Sequence, residues 1–394
     1  MCPSYMVTRE EEHSTRGRAN ALRAAISGHL PEDALTSPRM HEVLDLCLEC
    51  KGCKAECPSN VDMAKLKSEF LALYYAQHGT PLRARLFAHI EQLNRLGCAL
   101  TPLSNWVAQS GPARWILDRL MGIHSKRQLP PFASQTFDRW FATRSSARPA
   151  AGEGPVVLFH DCYMTYNYPE IGKAAVKVLE SAGFEVILAE KRCCGRPMIS
   201  KGLLREAKGN AAHNVDRLAP YAAQGIPIVG CEPSCVLIFR DEYPDLVDDP
   251  RAATVAKSTF MIEEFLAGLH QRGALHLPFT HGTNGVKSYL LHGHCHQKAI
   301  IGSAPSLQML RLLPGATVEE VDSGCCGMAG SFGYEKEHYD LSLAIGNRRL
   351  FPAVKAKGPE WEIVAAGVSC RQQIPHGSGR RARHLVEVLA DALP

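Results

Sequence analysis

Cys47-x-x-Cys50-x-x-Cys53-x-x-x-Cys57-Pro58 has the spacing of an iron–sulfur ligand loop in bacterial ferredoxins. Three cysteines three residues apart can wrap one cubane of iron and sulfide. The fourth, followed by proline, points elsewhere, and in two-cluster ferredoxins it ligates the other cluster. Zinc also binds C-x-x-C pairs and is the competing reading. Three closely spaced cysteines plus Cys-Pro favour a 4Fe–4S cluster. A second Cys-Pro, Cys2-Pro3, reads as the last cysteine of an upstream copy of the loop. Cys2 then completes the cluster of Cys47, Cys50 and Cys53. Cys57 is left to a cluster whose other three cysteines are absent from this chain. The plain alternative for Cys2 is a loose terminal residue.

Two further clusters each contain Cys-Cys-Gly. One is C-x(30)-C-C-G-x(35)-C-x(3)-C, formed by Cys162, Cys193, Cys194, Cys231 and Cys235. The other is C-x(29)-C-C-G-x(42)-C, formed by Cys295, Cys325, Cys326 and Cys370. Adjacent cysteines project in different directions, so a pair can address two irons. The glycine lets the backbone approach a cofactor. A vicinal disulfide or a buried thiol pair is the plain alternative. His292, His294 and His296 crowd the second group in HGHCH; solvent-exposed or hydrogen-bonded histidines are expected there before metal ligands. No P-loop, G-x-S-x-G or flavin-binding motif is visible, and the glycines of SGCCGMAGSFG read as loop geometry.

What must position these residues is a chain of 394 residues, long enough for two or three domains. Its net charge of +4 is too small to argue for nucleic acid. No apolar run has transmembrane length, and the N-terminus lacks a signal-peptide pattern. A cytoplasmic protein follows, with peripheral contact at the inner face of a membrane. In that reducing compartment fifteen cysteines read as metal or redox groups, with only Cys98 taken as a buried thiol.

Residues 1–143 predict a helical 4Fe–4S ferredoxin-type domain. Ser59 and Asn60 are N-cap candidates for a helix with Met63, Leu66, Phe70, Leu73 and Tyr74 on one face, ended by Gly79 and Pro81. In the next amphipathic stretch Arg83, Arg85 and Arg95 suit either an anionic membrane or, more commonly, a solvated face. A polar linker follows at 144–154. Beyond it strands alternate with helices, and each cysteine group follows a strand: PVVLFH, FEVILA and PIVG, then KSYLLHGHC, TVEEVDSGCCG and WEIVAAGVSC. That order predicts parallel βαβ units with the cysteines gathered at one sheet edge. The offsets 295 − 162 = 133, 325 − 193 = 132 and 370 − 235 = 135 predict two duplicated half-domains, 155–275 and 276–394. Ala366 stands where the first half has Cys231, so five cysteines face four.

MCPSYMVTREEEHSTRGRANALR, DLCLECKGCKAECPSNVDMAKLKSEF and SGCCGMAGSFGYEKEHYDLSLAIGNRRLFPAV resemble the C-terminal iron–sulfur half of fused FAD-linked oxidases, such as D-lactate and D-2-hydroxyglutarate dehydrogenases. The chain is also similar to the iron–sulfur subunits of glycolate oxidase and anaerobic glycerol-3-phosphate dehydrogenase. More distantly it resembles a heterodisulfide reductase component in which paired CCG motifs hold noncubane 4Fe–4S clusters. The resemblance implies an α-helical ferredoxin-like domain followed by an α/β domain of two CCG halves with parallel strands. It implies electron transfer from flavin to a quinone or cytochrome, with noncubane clusters or zinc at the CCG sites. FAD would belong to a missing domain or a partner subunit, the chain being a truncated or split gene product. The alternatives are a heterodisulfide-reductase-like redox subunit and a structural metal-binding docking module.

Overall fold

The computed structural model describes residues 2–144, 152–280 and 288–394. Of the linker expected at 144–154, residues 145–151 lie outside the described residues.

The N-terminal region is helical. Pro3–Thr8 starts at Cys2 with proline in its first turn, where the missing N–H is harmless. The helix after the cysteine loop runs Met63–His78 and ends at Gly79, as its sequence predicts. Its N-cap, however, is Asp62, whose carboxylate accepts from the Ala64 and Lys65 amides at 3.0 and 3.2 Å. Ser59 and Asn60 do not cap it. Met63 and Phe70 are buried, whereas Leu66 and Leu73 are exposed. The buried face carries Lys67 instead, whose ammonium donates to the Asp45 and Cys47 carbonyls, both at 2.8 Å.

The helices Ile90–Ala99, Leu103–Gln109 and Gly111–Met121 turn their apolar residues outward. Trp106 is 71% exposed, Leu120 70% and Trp115 66%, while Asn94 and Gly97 are buried. Arg85 and Arg95 are exposed, as on a solvated face, but they share it with the exposed Leu93 and Leu96. Among the described residues no helix is long and apolar enough to cross a membrane.

Two four-stranded sheets follow. The first comprises β1 (Gly154–Leu158), β2 (Phe184–Ile187), β3 (Ile228–Gly230) and β4 (Thr259–Met261), in the order β2-β1-β3-β4. The second comprises β5 (Ser288–Leu291), β6 (Thr317–Glu320), β7 (Trp361–Val364) and β8 (Ala382–Arg383), in the order β6-β5-β7-β8. All pairings are parallel. The apolar runs predict six of these strands; β4 and β8 are additions.

The sheets join through helices. Pro169–Ser181, which follows β1, packs on Leu385–Asp391, which follows β8. Ile262–Gln271, which follows β4, packs on Ala304–Arg311, which follows β5. One core cluster holds Val176, Leu179, Leu266, Met309 and Leu389 together. Phe137, at 0% exposure, ties the helical region into it.

Candidate metal centres

The cysteine loop owes its shape to two non-glycine residues in the left-handed region, Glu49 (φ 51°) and Lys51 (φ 60°). Such backbone is strained for bulky residues and persists where surroundings impose it. Here they do. The Glu49 carbonyl is hydrogen-bonded to His296 Nε2 at 2.8 Å. The Lys51 ammonium is buried against the Asp241 and Glu242 carboxylates. Cys2, Cys47, Cys50 and Cys53 line a cavity of about 540 Å3. Burial pushes the Cys47, Cys50 and Cys53 thiols up. Cys2 moves the other way: burial opposes its thiolate, but the Arg18 charge and the Ser4 hydroxyl bring it below the ordinary thiol range. Arg18, fully buried, donates to Cys2 Sγ at 3.1 Å. Four sulfurs around a cavity suit an iron–sulfur cubane. Cys57 is not on the cavity wall; it caps the helix Gly52–Glu56, its N–H bonded to the Cys53 carbonyl at 2.9 Å.

In the first CCG group the thiols of Cys162, Cys193, Cys194 and Cys235 are buried and hydrogen-bonded in series. Cys194 donates to Cys235, yet burial and the neighbouring Asp161 and Glu232 push Cys235 up to about 12. Cys231 is not brought into this series. It lies in the core cluster between the sheets, and burial followed by the charges of Asp161 and Glu263 raises its thiol. The helical region adds Glu91. One carboxylate oxygen accepts from the Cys193 amide at 2.9 Å and the other from Lys191 Nζ at 2.9 Å. Donor atoms of Glu91, Cys162 and Cys193 lie within 4.8 Å of one another. The Lys191 side chain is largely covered; although burial disfavours its charge, Cys162 and Glu91 raise its pKa.

The second group gathers Cys295, Cys325, Cys326 and Cys370, but around a hub. Cys326 accepts from Cys325 and Cys370, which lower its pKa well below the ordinary thiol value. Since Cys231 stands outside the first series, both groups assemble four thiols and Ala366 removes none. Gly195 (φ 88°) and Gly327 (φ 93°) adopt the left-handed conformation that the CCG motif requires. A Cβ at Gly327 would also meet the Ser342 carbonyl at 2.3 Å.

All three HGHCH histidines are buried, contrary to a solvent role. His294 and His296 are hydrogen-bonded; His294 Nδ1 accepts from the His296 amide at 3.2 Å. Cys98 joins no group, its Sγ donating to the Tyr166 carbonyl at 3.1 Å.

Cys295 and Cys325 also line the 540 Å3 cavity, opposite the ferredoxin-type cysteines. A second cavity, about 160 Å3, lies between the two CCG groups and is bordered by Cys235, Cys326, Glu232 and Arg196. Burial pushes the Glu232 carboxyl up to about 7. Arg18, Glu91 and Lys51 carry no sequence signal of their own; Lys191 stands two residues before Cys193, a proximity that could have marked it.

Sulfur donors gathered at sheet edges beneath a ferredoxin-type loop define an iron–sulfur electron-transfer subunit of the dehydrogenase and oxidase class. Residues 1–62 match the 4Fe-4S dicluster domain and residues 156–240 the Cysteine-rich domain. The C subunit of anaerobic glycerol-3-phosphate dehydrogenase from Escherichia coli (strain K12) is 30% identical, over 85% of this chain and 83% of its own length. The probable glycolate oxidase iron-sulfur subunit of Bacillus subtilis (strain 168) is 26% identical, over 99% and 91%. D-2-hydroxyglutarate dehydrogenase of Escherichia coli (strain K12) is 25% identical over 100% of this chain but only 42% of its own. The chain belongs to the family of the anaerobic glycerol-3-phosphate dehydrogenase C subunit.

Proposed function

We propose that this chain carries electrons from an FAD-containing dehydrogenase subunit or domain, acting on a D-lactate-type 2-hydroxy acid, to a quinone or cytochrome. The observation that supports it most is the shared cavity, where Cys2, Cys47, Cys50 and Cys53 face Cys295 and Cys325. Bound clusters would supply one-electron transfer; the protein sets ligation, burial and hydrogen bonding. Cys2, Cys47, Cys50 and Cys53 would hold a cubane, and Cys57 would serve a neighbouring cluster. Cys162, Cys193, Cys194 and Cys235 form one further ligand set, and Cys295, Cys325, Cys326 and Cys370 another, for noncubane clusters or zinc.

The domains in this reading are 1–143, 155–275 and 276–394. The last two are duplicates; their shared strand order and reciprocal helix packing support this. The protein is cytoplasmic and meets the inner face of a membrane through Leu103, Trp106, Trp115 and Leu120. Exchanging both tryptophans for serine should abolish sedimentation with anionic vesicles and leave the fold intact. Anaerobic purification, iron and sulfide analysis and EPR test the main reading. Protein that loads zinc but never iron–sulfur would overturn it.

The 160 Å3 cavity between the CCG groups favours a second reading, reduction of a disulfide substrate there. It predicts a substrate-responsive EPR signal that vanishes in Cys194→Ser.

A further inference from the structure

His292 ends β5, its amide bonded to the Val364 carbonyl at 2.8 Å, and its ring is 0% exposed. One face of that ring is accounted for: Nδ1 lies 3.0 Å from Ser323 Oγ. The other is not. Nε2 is buried and has no hydrogen-bond partner of normal geometry. The ring stands at the second CCG group, where one ring nitrogen of His292 and the sulfurs of Cys326 and Cys370 lie within 4.8 Å of one another. A buried polar atom without a partner is costly, on the order of 1–3 kcal/mol, and calls for an explanation.

The first CCG group makes the contrast. The position matching His292 is Phe159, by the 133-residue offset between Cys162 and Cys295, and it is only 2% exposed. The extra donor there is Glu91, whose two oxygens are already taken by Lys191 and the Cys193 amide. Glu91 therefore sits as a satisfied hydrogen-bond acceptor, whereas the His292 ring faces the Cys326 and Cys370 sulfurs.

We propose that His292 Nε2 is a ligand of the iron–sulfur centre of the second CCG group, beside Cys295, Cys325, Cys326 and Cys370, giving that centre mixed thiolate and imidazole ligation. Ser323 supplies the outer hydrogen bond that metal-bound imidazoles require; it takes the Nδ1 proton, fixes the tautomer and turns the Nε2 lone pair toward the sulfurs. A neutral imidazole ligand adds no negative charge where a further thiolate would, and it holds the potential higher, as in Rieske centres. The two CCG groups are then different electron-accepting stations built on one scaffold.

The inference rests on the proposed binding of iron at this group, and one experiment separates the two. Full-length protein is purified anaerobically with 15N-labelled histidine, reduced with dithionite, and studied by iron analysis and pulsed EPR. Wild type should show a directly coordinated nitrogen. His292→Leu should lose that coupling. His292→Cys should also lose it, yet retain its iron and titrate at a more negative potential, which guards against a merely unfolded variant. Ser323→Ala should weaken the coupling without removing it. If Cys326→Ser leaves the iron content unchanged, the group binds no iron and the functional reading itself fails. If Cys326→Ser loses iron but wild type shows no nitrogen coupling, or His292→Leu retains it, the histidine ligand alone is refuted.

Discussion

The two CCG groups share a scaffold and differ in what surrounds it. Each takes thiols from three strand ends of a parallel sheet with the same strand order. In the first, an ion pair of Lys191 and the half-buried Glu91 stands beside a linear series of thiols. In the second, a thiol hub meets the His292 imidazole and opens onto the cavity of the ferredoxin-type loop. Fold thus fixes where sulfur is presented, while individual side chains, Lys191 and Glu91 in one group and His292 in the other, set its surroundings. The difference extends to how the helical region is held. It grips the first half through Lys51 and the Asp241 and Glu242 carboxylates. It meets the second through His338, which lies 2.7 Å from Asp45 and 3.1 Å from Glu335.

The sharpest break is chemical. Cys194→Ser should empty the first centre and spare the second, and Cys326→Ser should do the reverse. Each should lose about four irons per chain if these are 4Fe–4S sites, by iron analysis. Equal loss in both variants would mean that the groups hold one shared centre.

Docking is the next contrast. Lys51→Met removes the ammonium that both carboxylates share, leaving Asp241 to Lys54 and Glu242 to Arg196, and should cost about 1.5–3 kcal/mol in denaturant melts. His338 behaves differently. Burial disfavours its charge, but hydrogen bonds to Asp45 and Glu335 push its pKa up to about 9. Its folded pKa exceeds the unfolded value of about 6.5. Its stabilisation is therefore complete below about pH 6.5 and is lost as pH rises toward about 9. His338→Ala should flatten this part of the pH–stability curve; an unchanged slope would remove His338 from the contact.

The smallest effect is on potential. Lys191→Met removes a positive charge beside Cys162 and should lower the first centre's midpoint, while Glu91→Gln should raise it. Neither should move the second centre in a redox titration.

Much of this is legible in the sequence because parallel strands are short buried apolar runs and their ends carry the cysteines. PVVLFH and WEIVAAG announce both strand and site. β4 and β8 carry no such signal, because three and two residues are too few for a pattern. Strand-end position places a cysteine near a site without saying which face it takes, so Cys231 reads as a fifth member of the first group. Glu91 is far from the cysteines in sequence and is delivered by the fold alone. Leu66 and Leu73 keep helical spacing but face outward, because Lys67 is drawn inside by two loop carbonyls.

The seam between the sheets is reciprocal: each half offers the helix after its first strand to the helix after the other half's last. Interfaces of this kind are what two-fold homodimers make. On the proposed duplication, a protein of one half would find its complement in its own copy, and fusion would make that dimer permanent. Tethering would free each half to diverge, which no symmetric dimer can do; Phe159 stands in one half where His292 stands in the other.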